Sequence, residues 1–224
     1  MRTTPSGPRP LAAGWCLALA GAVCAAGQAA AQSAAPGVPA PAAAADAGRP
    51  PVSPADVAFM TGMILHHRQA LLMAGWAPGH GAGSSVRELC DRIVVSQRDE
   101  IAAMARWLRE HHQPVPDTTT PTAYGAAAMG GMAGMDQPAA MPGMLTDAQL
   151  ARLDAARGSA FDLLFLTFMI QHHEGALTMV QQLVGTAGAA QDGLVFQFAS
   201  DVNADQSAEI DRMRRMLAVM SLGN

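Results

Sequence analysis

Met63-Ile64-Leu65-His66-His67-Arg68-Gln69-Ala70-Leu71-Leu72-Met73 recurs without a gap as Met169-Ile170-Gln171-His172-His173-Glu174-Gly175-Ala176-Leu177-Thr178-Met179. Met, Ile, His, His, Ala, Leu and Met are identical, seven positions of eleven. Such self-similarity marks a duplicated supersecondary unit. Downstream, Gln97, Glu100, Ile101, Met104 and Leu108 find the same types at Gln206, Glu209, Ile210, Met213 and Leu217, three residues later than the first block predicts. The three extra residues belong in the connection between the blocks. Each copy therefore reads as a helix, a short connection and a second helix. Two such hairpins predict an all-α, four-helix bundle.

Local punctuation agrees. Ser53-Pro54-Ala55-Asp56 sets a capping hydroxyl, a first-turn proline and an acidic residue in order, and Thr146-Asp147-Ala148-Gln149 is a capping box, so helices should start near residues 54 and 147. Pro78-Gly79, Pro114, Gly185 to Gly188 and Gly223 supply the four ends, and Gly158 should kink the third helix early. The bundle domain spans 53–224, with hairpin 1 over 54–112, an irregular crossover over 113–145 lying across the bundle, and hairpin 2 over 146–222.

Residues 1–31 read as a secretory signal: Arg2 and Arg9, an apolar stretch from Leu11 to Val23, then Ala29-Ala30-Ala31 before a cut at Gln32. Residues 32–52, rich in Ala, Pro and Gly, have little to bury and read as a disordered tether. Cleavage would remove Cys16 and Cys24 and leave Cys90 as the one thiol, which excludes an internal disulfide and a thiolate-rich metal site. It would also remove two of 14 basic residues and none of 18 acidic ones, moving the formal charge from -4 to -6. An acidic chain whose cations are all arginine argues against a nucleic-acid partner, and after the signal no apolar run approaches membrane-spanning length.

At about 100° per residue, Met60, Met63, His66, His67, Ala70 and Met73 share an arc of about 140°. Phe165, Met169, His172, His173, Ala176 and Met179 share another, and Gln97, Glu100, Ile101, Met104 and Leu108 a third. Their counterparts Gln206, Glu209, Ile210, Met213 and Leu217, joined by Met216 and Met220, form the fourth. Ala70 and Ala176 leave room for both rings of each pair to turn inward, toward different partners. Thioether is a soft donor suited to Cu(I) and Ag(I), and imidazole serves copper in either oxidation state. The candidate ligands are Met63, His66, His67, Met73, Met104, Met169, His172, His173, Met179 and Met213. Glu100 and Glu209 can accept a ring N–H and fix a tautomer, with Gln97 and Gln206 beside them. The alternative for each methionine is core filling, and for the Glu and Gln pairs a polar layer that sets helix register. His80, His111 and His112 read as solvated or as charge partners of a helix C-terminus. In the crossover, Met129, Met132, Met135, Met141 and Met144, spaced by small residues, form a second set able to converge on a soft cation, or else a hydrophobic lid. A site mixing imidazole with thioether should bind more weakly as pH falls through about 6.5.

Phe59 to Met73, Gln97 to Leu108 with its Met104-Ala105-Arg106-Trp107-Leu108 end, Met141-Pro142-Gly143-Met144, and Phe161-Asp162 through Met179 together resemble the exported helical-bundle proteins catalogued as domain of unknown function 305. The resemblance covers essentially all of residues 54–220. It implies a ferritin-like four-helix bundle outside the cytoplasm that binds Cu(I) and Ag(I) through Met and His and serves copper storage, transfer or resistance. Those roles fall on Met63, His66, His67, Met73, Met169, His172, His173 and Met179. A periplasmic copper chaperone or efflux component is the partner such a role implies. Leu166 stands opposite Met60 and Met216 opposite Trp107, so the two halves need not bind equally. Two other classes compete. One is a structural or envelope-stress bundle without metal. The other is a ferritin-like metal-dependent oxidase, which needs Glu-x-x-His on two helices; this chain contains none, so no catalytic residue is expected.

Overall fold

The computed structural model describes residues 52–117 and 141–222. The expected signal, nearly all of the tether, most of the crossover, and Met129, Met132 and Met135 lie outside the described residues. The described residues form five helices: α1 (Pro54–Gly75), α2 (Ser84–Glu110), α3 (Asp147–Ala155), α4 (Gly158–Gly185) and α5 (Gly193–Leu222). The fold is all-α, and the described residues contain no strand.

Both expected starts are capped as the sequence indicates. The Ser53 hydroxyl accepts from the Ala55 N–H at 3.2 Å with Pro54 in the first turn. Thr146 Oγ1 accepts from the Gln149 N–H at 3.2 Å while Gln149 Oε1 accepts from the Thr146 N–H at 3.0 Å, closing the box. The third helix departs from expectation. It does not kink at Gly158 but breaks into α3 and α4, with Ala156 and Arg157 extended and Gly158 at φ +57°. The break has a cause outside the helix: the Gly158 N–H donates to the carbonyl of His80, at 2.8 Å, in the connection between α1 and α2. A left-handed glycine frees that N–H from the helical ladder.

The four long helices form the bundle. α1 pairs with α2, α4 with α5, and the hairpins join through α1 and α4, with α3 on α4. Two aspartates at equivalent repeat positions tie each hairpin to the other's connection. Asp56 Oδ1 on α1 accepts from the Ala190 N–H at 2.7 Å, and both Asp162 oxygens on α4 accept from the Gly83 N–H at 3.1 and 3.0 Å. Two apolar clusters fill the interior. One holds Met73, Leu89, Ile93, Phe161, Phe165, Met169 and Met213. The other holds Met60, Met63, Met104, Trp107, Leu108 and Met179. Along α1 and along α4 the histidine pairs fall where one cluster gives way to the other.

No described helix is long and apolar enough to cross a membrane.

Candidate metal centre

His66, His67, His172 and His173 are all fully buried. The rings of His66 and His172 meet across α1 and α4 with centroids 3.8 Å apart, tilted by 39°. As the spacing implies, the rings of a pair diverge. His67 Nε2–H donates to Glu100 Oε2 on α2, and His173 Nε2–H donates to Glu209 Oε2 on α5 at 2.6 Å, so the repeat reproduces the same contact. A carboxylate only accepts, so it holds the ring proton on Nε2 and leaves the Nδ1 lone pair free. His66 Nε2–H donates to the Pro142 carbonyl at 3.1 Å with the same result. The Nδ1 atoms of His66, His67 and His173, and both ring nitrogens of His172, are buried without a hydrogen-bond partner.

Burial holds the central rings neutral. Desolvation, with the neighbouring His67 ring adding to it, lowers His66 to about 3, against a smaller opposing effect of the Pro142 carbonyl. His172 is lowered well below its ordinary value by burial and then by His66, His173 and His67; the His66 backbone carbonyl opposes this without closing a hydrogen bond of ordinary geometry. These two rings therefore offer uncharged nitrogen lone pairs far below pH 6.5. The expected weakening of binding near 6.5 does not apply to them.

Every candidate methionine of the bundle is buried, and the six divide into two groups related by the repeat. Met63 and Met104 of the first copy share a cluster with Met179 of the second. Met169 and Met213 of the second share the other with Met73 of the first. Gln97 and Gln206 are buried with their Oε1 atoms unpartnered. Among the described residues, no three or more His, Cys, Asp or Glu side chains converge as they would around a metal ion.

The crossover methionines do not all stay apart. Met141 packs against the cluster of Met63, Met104 and Met179. For His80 and His111 the solvated alternative is overturned, while the placing at a helix C-terminus holds. His80 is not solvated: it is 8% exposed, its Nε2–H donates to the carbonyl and Oδ1 of Asp154 at 2.9 and 3.0 Å, and its ring lies against Trp76 and Phe161. It fastens α3 to the α1–α2 connection. His111 is also largely covered, its ring against Trp107 and its Nε2 3.8 Å from Asp192, while His112 is exposed. Three contributors escaped the sequence reading: Pro142, whose carbonyl orients His66, and Gln69 and Gly175, which hold the segment carrying Pro142. A signal existed for Gly175, since a glycine in a helix interior costs about 1 kcal/mol and asks for a close-approach explanation.

A family profile described as "Domain of unknown function (DUF305)" matches residues 56–217. Among solved structures, the putative secreted protein DUF305 from Streptomyces coelicolor is similar at TM-score 0.59 and 27% identity, covering 73% of this chain and 92% of that one. A DUF305 fragment from Deinococcus radiodurans is similar at TM-score 0.59 and 28% identity, over 75% of this chain and 99% of that one. CopM in its Cu(II)-bound form is similar at TM-score 0.54 and 26% identity, over 74% and 97%; its Ag-bound form also matches. No curated protein sequence matches at a significant level.

Proposed function

The chain belongs to the DUF305 family, and from that membership and the buried histidine layer we propose that it is an exported Cu(I)-binding protein. Ag(I) would bind by the same chemistry. Storage, transfer or resistance is the role, in the periplasm or an equivalent compartment, with a copper chaperone or efflux component as donor or receiver.

One observation carries the reading: four fully buried imidazoles present five unpartnered ring nitrogens. Buried polar atoms without partners are costly, on the order of 1–3 kcal/mol each, and need an occupant or a use. A soft cation supplies it. The ligands proposed are His66, His67, His172 and His173 with two thioether groups, Met63, Met104 and Met179 on one side and Met73, Met169 and Met213 on the other. Glu100 and Glu209 orient His67 and His173, with Gln97 and Gln206 nearby. The likeness to CopM, solved with Cu(II) and with Ag, supports the choice of metal. A binding role is favoured over an oxidase because the inward glutamates Glu100 and Glu209 are each engaged by a histidine.

The test is a Cu(I) competition titration against a chromophoric chelator, comparing wild type with a variant in which all four histidines become glutamine. The variant should lose most of the tight binding while circular dichroism shows an intact bundle. A folded variant that binds as much Cu(I), as tightly, would make the histidines a structural layer.

A further inference from the structure

Residues 141–145 form a strap seated in the groove between α1 and α4. Along α1 the strap meets successive turns of one face. Met141 lies beside Gly62, the Pro142 carbonyl accepts from His66, and Leu145 exchanges both backbone bonds with the Gln69 amide, at 2.7 and 3.1 Å. Along α4 it runs in the reverse chain order, from the cluster of Met179 past Gly175 to Gln171. Only glycine fits where the backbones cross: a Cβ on Gly175 would lie 2.1 Å from the Pro142 oxygen and 2.5 Å from Gly143 Cα. Gly143 is itself at φ +75°, with Gln171 Nε2–H donating to its carbonyl at 3.3 Å. These contacts fix the register of the strap.

That register decides where one sulfur goes. A Cβ built on Gly62 would be 3.6 Å from Met141 Sδ and 3.3 Å from Met179 Cε, so both thioethers flank the same point, one helical turn from His66. We propose that Met141 is a further ligand of the soft cation held by Met63, Met104 and Met179, delivered by the strap, with Gly175 and Gln69 as positioning residues. The equivalent group of Met73, Met169 and Met213 has no described crossover methionine packed against it but has Met216 and Met220 of α5 instead, so the strap supplies an extra thioether to one half only. This assignment rests on the copper reading above.

Met141→Leu keeps the bulk of the side chain and removes the sulfur, while Met144→Leu controls for loss of a neighbouring thioether. In Cu(I) titrations, Met141→Leu should weaken one class of sites at least about tenfold, the lower end of what loss of a supporting group costs a metal site. Met144→Leu should leave it unchanged. Copper-edge X-ray absorption should count fewer sulfur neighbours per copper in Met141→Leu. Gly175→Ala, which expels the strap, should reproduce that loss, and Gln69→Ala should do so if Gly175→Ala fails to fold. Wild-type affinity and sulfur count in Met141→Leu would overturn the assignment of Met141 alone, provided the four-histidine variant still loses binding. A wild-type protein that binds no Cu(I) would overturn the copper reading and Met141 with it.

Discussion

A histidine ring that has left water must still place one proton and one lone pair, and here the proton positions are accounted for better than the lone pairs. Glu100 and Glu209 accept from the Nε2–H groups of His67 and His173, and each Nδ1 is left buried without a hydrogen-bond partner. If those carboxylates orient ligands, Glu209→Ala should lower Cu(I) affinity by about ten- to a hundredfold with helix content unchanged. Glu209→Gln should lose less, because the amide oxygen still accepts. Glu174, one residue past His173 in sequence, is exposed and pairs with Arg214 at 2.7 Å, so Glu174→Ala should leave the titration where it was. Equal effects of Glu209→Ala and Glu174→Ala would mean that Glu209 does not hold the ring. Cys90 offers the opposite case, a soft donor kept out of use. Burial, with Asp91 and Asp162 nearby, pushes its thiol up to about 12, so it stays protonated and is a poor ligand. Cys90→Ala should leave the number of bound copper ions unchanged by metal analysis, and loss of one ion would show that the site is misplaced.

Between helices, the repeat works as reciprocal bracing. Asp56 and Asp162 each reach from the first helix of one hairpin to a backbone N–H in the other hairpin's connection, and both are buried. A hydrogen bond to a charged group is worth about 1.5–3 kcal/mol, so Asp56→Ala and Asp162→Ala should each destabilise the bundle by about that much in urea unfolding. The effects should add, because the two aspartates share no partner. A cost under about 0.5 kcal/mol for either, the range of ordinary surface changes, would demote it to a surface contact. The sequence announced the elements this bracing joins, since caps, breakers and helical period are local signals that Ser53, Thr146 and Gly185 carry by themselves. It announced the histidine–glutamate contacts too, because identical spacing in two copies constrains which faces meet. It did not announce the break between α3 and α4, nor the burial of His80. Both depend on a contact between residues 80 and 154–158, and the stretch around His80 reads locally as a turn. The strap escaped for the same reason: Gly175 and Gln69 look like ordinary divergence of the repeat until the chain crossing them is seen.

At the scale of the molecule, the histidine layer exchanges stability for an open site, and acid should expose the exchange. His66 has a folded value of about 3 against 6.5 for a free ring, and His172 is also held well below 6.5. Between those values the unfolded chain binds protons that the folded chain refuses. Stability therefore rises with pH across that window, is fully present above about 6.5, and is lost as pH falls. Each such ring contributes a slope of about 1.4 kcal/mol per pH unit, so the two together give about 3. A free imidazole takes up its proton mainly as pH falls from about 6.5 to 5, which makes that interval the one to measure. Urea midpoints of the metal-free protein should fall steeply across that interval, and a His66→Gln, His172→Gln variant should flatten the slope even if its stability at pH 7 is lower. Cu(I) should oppose the fall, because metal binds the same lone pairs more tightly when the folded chain gathers them and stabilises that state by mass action. A metal-free wild-type protein whose midpoint is flat from pH 6.5 to 5 would mean that these rings accept protons inside the fold. The layer would then be wetter, and its lone pairs less available to a metal, than the packing of α1 against α4 requires.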